Sequence, residues 1–159
     1  MDLFGTFVFA ITGAVKAVKN RLDFLGVMVF AMTVGCAGGM IRDVLLGTVP
    51  VAAYQNGLYI SVCLIAGVLV FVFAPKTVGR WSIIVYADAI GLGVFTALGC
   101  AKAASLGVGA VGIVFSGTLT AVGGGVLRDV FVHEIPMIFA SDFYASAAIF
   151  GGVFYLLLS

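Results

Sequence analysis

The chain has 159 residues, of which 63% are hydrophobic and 9% are charged, against roughly 25% charged residues in an average soluble domain. With a mean hydropathy of +1.26, the chain has too few charged side chains to cover a water-soluble globule, which excludes a soluble fold. The formal net charge is +1 and there is no basic run, which argues against a nucleic-acid partner. The expected partner is the lipid bilayer.

Residue types that carry enzyme chemistry are scarce. One histidine and one glutamate leave little material for a histidine-based triad or a transition-metal site. Cys36, Cys63 and Cys100 lie in apolar stretches without a Cys-x-x-Cys spacing, so we interpret them as small core residues. We expect no enzymatic activity, no metal and no cofactor.

Polar residues divide the chain into six apolar segments, and a membrane-spanning helix needs about 20 mostly apolar residues. No alternation with a period of two suggests the strands of a barrel, so the predicted fold is an all-α membrane protein with one transmembrane domain, residues 1–159. The first segment lacks a basic leader and is expected to remain as a permanent span. The predicted spans are residues 3–18, 24–46, 53–73, 83–104, 106–132 and 143–158.

Basic residues are distributed unevenly between the predicted loops. Because basic loops stay in the cytoplasm, the first and third loops are predicted to be cytoplasmic and the N-terminus to lie outside. The opposite side offers only Lys102. The basic residues of the two cytoplasmic loops are Lys16, Lys19, Arg21, Lys76 and Arg80.

The chain contains an internal repeat with an offset of 86 residues and no gap, pairing residues 1–73 with 87–159 at 14 identities in 73 positions. Scarce charged residues recur in register, which makes chance a poor explanation. Each copy holds three predicted spans, an odd number, so the copies are predicted to be inverted in the membrane. The recurring charged pairs are Asp2 and Asp88, Lys16 and Lys102, Arg42 and Arg128, and Asp43 and Asp129.

Glycine runs occupy the second and fifth predicted spans. Glycine costs about 1 kcal/mol relative to alanine inside a helix, so both spans are predicted to be broken there. Their freed carbonyls would line a cation pathway. The alternative is close helix packing through small residues. The glycines are Gly35, Gly38, Gly39, Gly123, Gly124 and Gly125.

Arg42-Asp43 and Arg128-Asp129 follow these glycines at membrane depth, where an ionisable residue is a functional candidate by default. The alternative is that the arginines extend to the interface as anchors. The single lysines at span ends, Lys16 and Lys102, are likewise interpreted as interface anchors unless they join a charge cluster. Neighbours on a helix point about 100° apart, so neither arginine is expected to pair with the aspartate after it.

Inverted copies predict a neutral cluster of two acids and two bases near each mouth. We expect Asp2 to lie nearer Arg42 and Asp88 nearer Arg128. The clusters are Asp2, Arg42, Asp43 and Lys102 at one mouth, and Lys16, Asp88, Arg128 and Asp129 at the other. Of the remaining residues, His133-Glu134 is predicted to be a solvated turn, Asp142 the N-cap of the sixth helix, and Trp81 and Tyr86 interfacial aromatics.

The doubled Gly-Gly-x-x-Arg-Asp pattern at residues 38–43 and 124–129, within two three-span copies, resembles the prokaryotic branch of the trimeric intracellular cation (TRIC) channel family, also catalogued as a glycine transporter family. The resemblance implies a homotrimer in a prokaryotic cell membrane, with one pore per protomer for potassium and other monovalent cations. It assigns pore bending to Gly38, Gly39, Gly124 and Gly125. The first copy departs from it at Ala37, where the second has Gly123, and a seventh span of the family is expected to be missing from these residues.

The leading functional hypothesis is a passive channel for potassium or sodium, with the basic residues acting as a gate. The first alternative is a secondary transporter of a small zwitterion such as glycine, clamped by an arginine and an aspartate. The second is an assembly that recognises lipid and holds phospholipid head groups with its basic residues.

Overall fold

The computed structural model describes residues 2–73, 81–140 and 143–159. All regular secondary structure in these ranges is helical, as predicted. Six long helices lie at the positions of the six predicted apolar segments, and two helices of four residues were not predicted. The long helices are α1 (Asp2–Lys19), α2 (Phe24–Leu45), α4 (Leu58–Phe73), α5 (Trp81–Ser105), α6 (Ala110–Phe131) and α8 (Tyr144–Leu158), and the short ones are α3 (Ala52–Gln55) and α7 (Met137–Ala140).

Three stretches within these helices are long and apolar enough to cross a bilayer: Phe24–Leu45, Ile84–Ser105 and Ala110–Phe131. Leu58–Phe73 and Tyr144–Leu158 are apolar but shorter. Large apolar side chains cover much of the outer surface; Val111, for example, is 85% exposed. Such a surface is stable only in lipid or against another protein, and the chain is an integral membrane protein.

Two span boundaries differ from the prediction because local turns were missed. The third span begins at Leu58 rather than residue 53, because the Asn56 side chain accepts a hydrogen bond from the Leu58 amide at 3.0 Å and forms a turn there. The fifth begins at Ala110 because Gly107 has a φ of +72°, which ends the preceding helix. At α2, the Asp23 carboxylate accepts from the Gly26 amide at 2.7 Å and caps the helix.

Some residues with a predicted role lie outside the described part of the chain. They are Asp142, predicted to cap the sixth helix, and Lys76 and Arg80, predicted to lie in the third loop. The Trp81 side chain also lies outside the description, whereas Tyr86 is exposed on α5.

The two repeats pack against each other through equivalent residues. The rings of Phe9 and Phe95, which occupy matching positions, stack with centroids 5.2 Å apart. A Cβ atom at Gly5 would lie 3.2 Å from the Phe95 ring, and one at the equivalent Gly91 would lie 2.9 Å from the Phe9 ring. Reciprocal contacts of this kind are typical of two-fold related units.

The same reciprocity holds where α2 crosses α6. A Cβ atom at Gly38 would lie 2.2 Å from the Thr120 carbonyl oxygen, and one at Gly124 would lie 2.8 Å from the Val34 carbonyl oxygen. Val34 and Thr120 are themselves equivalent positions. The two backbones therefore meet at the glycine runs, at a separation that a side chain would prevent.

The breaks predicted at these runs are absent. α2 is α-helical throughout Phe24–Leu45 and α6 throughout Ala110–Phe131. Packing accounts for most of the glycines, because a Cβ atom would also lie 2.8 Å from the Ile41 side chain at Gly123 and 2.7 Å from the Cys63 sulfur at Gly35. Close approach between helices compensates for the low helix propensity of glycine, so the helices keep their hydrogen bonds.

Candidate functional site

The first candidate site, named here the Arg42 cluster, consists of Asp2, Arg42, Asp43 and Tyr59. Arg42 Nε donates to Asp43 Oδ1 at 2.8 Å, and Arg42 Nη2 lies 3.7 Å from Asp2 Oδ2. The Tyr59 hydroxyl donates to Asp2 Oδ2 at 2.8 Å. Helices α1, α2 and α4 thus each contribute, and the arginine is buried while 27% of the Asp2 side chain is exposed.

The second site, the Arg128 cluster, draws on four helices and one loop. Arg128 Nη1 donates to Asp88 Oδ1 at 2.5 Å, and Arg128 Nε donates to Asp129 Oδ1 at 2.9 Å. The Tyr144 hydroxyl donates to Asp88 Oδ2. The cluster consists of Lys16, Asp88, Arg128, Asp129, Glu134 and Tyr144.

Lys16 links the first repeat to this cluster. Its Nζ donates to Glu134 Oε2 at 2.6 Å and lies 3.7 Å from Asp129 Oδ1. The lysine side chain is 3% exposed, whereas that of Glu134 is 47% exposed. His133-Glu134 does form a turn, in which His133 has a φ of +57°, but Glu134 has a buried cation as its partner.

The expectation that each arginine would not pair with the next residue was wrong. Both Arg42 and Arg128 donate from Nε to the following aspartate. The 100° between neighbouring Cβ directions limits short side chains, but the long arginine side chain curls around the helix and brings its guanidinium beside the carboxylate.

The two aspartates of the doubled motif also fasten the chain that follows them. Asp43 Oδ2 accepts from the Ala52 amide at 2.9 Å, and Asp129 Oδ2 accepts from the Met137 amide at 3.1 Å. These amides belong to the first residues of α3 and α7, where helix N–H groups lack helical partners. Each aspartate therefore couples its arginine to a short helix.

Of the two predicted groupings, the one around Arg128 is confirmed and the one around Arg42 is confirmed without Lys102. As expected, Asp2 lies beside Arg42 and Asp88 beside Arg128. Lys102 forms no ion pair with any residue that the structure describes. The position equivalent to Glu134 is Thr48, so the first repeat has no acid there to hold Lys102.

Sequence reasoning missed the tyrosines because the repeat was aligned without a gap. Tyr59 and Tyr144 make equivalent hydrogen bonds but are separated by 85 residues rather than 86. Ala52 and Met137, which donate to equivalent aspartates, show the same shift. A one-residue gap after the two prolines also aligns Ser61 with Ser146, Gly67 with Gly152 and Val68 with Val153.

Gly39 and Gly125 differ from the other glycines because they face the arginines. A Cβ atom at Gly39 would lie 3.7 Å from Arg42 Nη2, and one at Gly125 would lie 3.8 Å from Arg128 Nη2 and 3.2 Å from the Tyr144 oxygen. A small cavity beside the first cluster is lined by Gly39 together with Asp2, Arg42 and Asp43. These two glycines leave room next to the guanidinium groups.

The predicted neutrality does not hold because Lys102 is absent from the Arg42 cluster and Glu134 joins the Arg128 cluster. The Arg42 cluster contains two carboxylates and one guanidinium, and the Arg128 cluster contains three carboxylates and two basic groups. Counted over these described residues, each has a formal charge of −1 when all groups are ionised. Both clusters therefore favour a cation over an anion, even though an arginine lies at the centre of each.

Comparison with known proteins places this arrangement in a family. The family described as "Glycine transporter" matches residues 1–75 and 85–159. The chain is 41% identical over 157 residues to a UPF0126 membrane protein of Vibrio cholerae, covering 98% of this chain and 65% of that protein. It is 39% identical over 155 residues to the UPF0126 inner membrane protein YadS of Escherichia coli, covering 96% and 74%. The chain thus spans just under two thirds of the first relative's length.

Solved structures show the same fold. The TRIC trimeric intracellular cation channel orthologue from Rhodobacter sphaeroides matches with a TM-score of 0.94 and 34% identity, covering 98% of this chain and 81% of that one. A prokaryotic TRIC channel crystallised in 0.5 M KCl matches with a TM-score of 0.90 and 32% identity, covering 98% and 80%. With its two arginine clusters and crossed glycine helices, the chain belongs to the prokaryotic TRIC channel family, the family also described as glycine transporters.

Proposed function

We propose that the protein is a cation channel permeable to potassium and sodium, with one pore in each protomer of a homotrimer. The observation that carries this proposal is the pair of buried arginine clusters, each with a formal charge of −1, on either side of the α2–α6 crossing. The solved relatives named as TRIC cation channels support it. Conduction needs no covalent chemistry and no cofactor.

The proposed membrane arrangement has six spans in two inverted copies, residues 1–73 and 87–159, with the N-terminus outside. The reciprocal packing of equivalent residues supports a two-fold relation between the copies. Three spans per copy then place the Arg42 cluster towards the outer face and the Arg128 cluster towards the inner face. Bound phospholipid is part of the proposal, with Lys102 the basic residue available to a head group.

In this mechanism the clusters act as gates. A cation passing about 4 Å from a guanidinium meets a repulsion of roughly 4 kcal/mol at an effective dielectric constant of 20, and the carboxylates offset much of it. Arg128 is held by Asp88 and Asp129 and is 1% exposed, so the Arg128 cluster is the closed gate. Asp2 is partly exposed, so the Arg42 cluster is an entry vestibule.

The family description favours a second candidate, a transporter of a small zwitterion such as glycine. An arginine and an aspartate would bind its carboxylate and ammonium groups. Arg128, however, already donates from Nε and Nη1 to protein carboxylates and from Nη2 to Asp129 at 3.3 Å and to the Met137 sulfur at 3.5 Å. A substrate carboxylate would have to displace these partners, which favours the channel.

One experiment separates the two functions. The purified protein is reconstituted in a planar bilayer with a potassium gradient, and single-molecule currents are recorded. A channel gives unitary currents far above ~10³ ions per second, because a carrier undergoes a conformational step in each cycle. Glycine counterflow into vesicles is measured in parallel; counterflow without unitary currents would establish the transporter and refute the channel.

A further inference from the structure

Two buried cysteines that neither arginine cluster uses lie in contact. The Cys36 sulfur on α2 is 3.8 Å from the Cys63 sulfur on α4, and the side chains are 8% and 0% exposed. Gly35 makes room for this contact, since a Cβ atom there would lie 2.7 Å from the Cys63 sulfur. The pair is built into the packing of the two helices.

Two methionines lie on the same side of α2 as Cys36. Met32, Cys36 and Met40 are spaced four residues apart along α2 and line the same apolar groove of about 350 Å³. Cys36 also lines the small cavity that is bordered by Asp2, Arg42 and Asp43. Cys36 therefore borders both an apolar groove lined by two methionines and a cavity with two carboxylates and one guanidinium.

The contact distance fits a bridging metal ion better than a disulfide. Taking a metal–sulfur bond of about 2.3 Å as a guide, two thiolate ligands in a linear site stand roughly 4.6 Å apart, so the sulfurs, which are 3.8 Å apart, would have to separate by about 0.8 Å. A disulfide of about 2.05 Å would require them to close by roughly 1.8 Å. The smaller movement is less disruptive in a packed helix interface.

The available ligands also limit the metal. Within the described residues, no three or more histidine, cysteine, aspartate or glutamate side chains gather into a metal-binding group. Zinc, which takes four ligands in its structural sites, is therefore disfavoured. Thiols and thioethers select soft ions such as Cu(I), and such an ion accepts two ligands.

We propose that Cys36 and Cys63 form a binding site for a soft monovalent cation, Cu(I), at the α2–α4 contact. Two copper–sulfur bonds form, both S–H bonds break, and the two protons leave to solvent, because the thiolate and not the thiol is the metal ligand. The copper enters and stays as Cu(I), so no electron is transferred, and the complex of two thiolates and one monovalent ion has a charge of −1. The proposal does not depend on channel activity.

The test is titration of the purified, detergent-solubilised protein with Cu(I), supplied anaerobically from a competing chelator. We expect one high-affinity Cu(I) per chain in the parent protein and in the matched control Cys100→Ser, which removes a buried cysteine outside the pair. Cys36→Ser and Cys63→Ser should each bind at least about tenfold more weakly. Equal affinity in either variant would overturn the site.

X-ray absorption on the copper-loaded parent protein provides a measurement that needs no variant. We expect two short copper–sulfur bonds, with any thioether at a longer distance. A first shell dominated by oxygen or nitrogen, or no binding above the level of a cysteine-free membrane protein, would refute the proposal even if the serine variants failed to fold.

Discussion

Arg42 and Arg128 occupy equivalent positions in the two repeats, but their surroundings differ. Arg128 is bound to Asp88, a residue with no exposed surface, whereas Arg42 lies 3.7 Å from Asp2, whose side chain is 27% exposed. The second cluster also receives Lys16 from the other repeat. The first has no corresponding lysine among the described residues.

The difference shows that two copies of a motif can keep their central residues while their surroundings diverge. The Arg-Asp pair, the aspartate on the first helix of the repeat and the tyrosine on its third helix are present in both clusters. The two clusters differ at a loop position, which is Thr48 in the first repeat and Glu134 in the second. Glu134 thus adds a 2.6 Å contact to a lysine from the opposite repeat that also lies 3.7 Å from Asp129.

The largest expected effect comes from removing the arginines. Arg128→Ala leaves the fully buried Asp88 without its cation, and breaking a buried pair in this way costs about 3–5 kcal/mol. Arg42→Ala should cost less, about 1–2 kcal/mol, because water reaches Asp2. Thermal unfolding in detergent measures the difference, and similar losses would show that the two clusters are equally buried.

The same variants test the gates. In those that still assemble, removing a positive barrier of about 1.4 kcal/mol would change the potassium conductance tenfold. Unchanged conductance and open probability in both variants would leave the arginines as anchors and would remove the gate assignment. A change in one alone would show that the two repeats have different tasks.

The tyrosines provide a more conservative pair of substitutions. Tyr144→Phe removes a hydrogen bond to the buried Asp88, and a bond to a charged group contributes about 1.5–3 kcal/mol. Tyr59→Phe removes the matching bond to Asp2, where water can substitute, and should cost less than about 1 kcal/mol. The unfolding midpoints of both variants are compared with that of the parent protein. A larger loss of stability in Tyr59→Phe would contradict the more buried position of the Arg128 cluster.

Substitutions in the glycine runs distinguish a packing role from a pore-lining role. Gly38→Ala places a Cβ atom against the Thr120 carbonyl and should destabilise the protein by about 1–3 kcal/mol, as overpacking does. The control Gly39→Ala meets only the Arg42 side chain, at 3.7 Å, so its stability should stay near that of the parent while its conductance changes. If Gly38→Ala were as stable as the parent, α2 and α6 could not be in backbone contact.

The smallest effect on stability is expected at Glu134, whose side chain is half exposed. Glu134→Gln should cost less than about 1 kcal/mol but should raise the open probability, because Lys16 loses its charged contact at 2.6 Å and the Asp129 carboxylate is farther away, at 3.7 Å. In the reciprocal variant Thr48→Glu, the new acid should engage Lys102 and reduce current. Open probabilities from single-channel recordings check both, and an unaltered Glu134→Gln channel would mean that Lys16 is not part of the gate.

Much of the candidate site could be predicted because charged residues are rare in this chain. Asp2, Lys16, Arg42 and Asp43 recur in register, and their recurrence predicted the groupings around the two arginines. Tyr59 and Tyr144 were missed, because a one-residue gap after the prolines obscures their equivalence. A tyrosine in an apolar segment has no distinguishing signal until the aspartate beside it is known.

The prediction that each arginine would not pair with the aspartate after it was wrong for a different reason. The direction of a Cβ atom follows from the helix, but the position of an arginine guanidinium depends on four torsion angles that the surroundings select. Only the packed structure shows that Arg42 and Arg128 turn back onto Asp43 and Asp129.

The sequence by itself determined the all-helical membrane fold and the six long helices, because hydropathy acts locally and does not depend on the partners of each helix. The recurrence of rare charged residues also predicted which aspartate of the first or fourth segment lies beside each arginine. The tertiary structure alone decided the role of the glycines and the difference between the clusters. A glycine run has the same low helix propensity wherever it occurs, but the backbone that meets Gly38 and Gly124 comes from the other repeat. Likewise, Glu134 contacts Lys16 only because folding brings that lysine to it from 118 residues away.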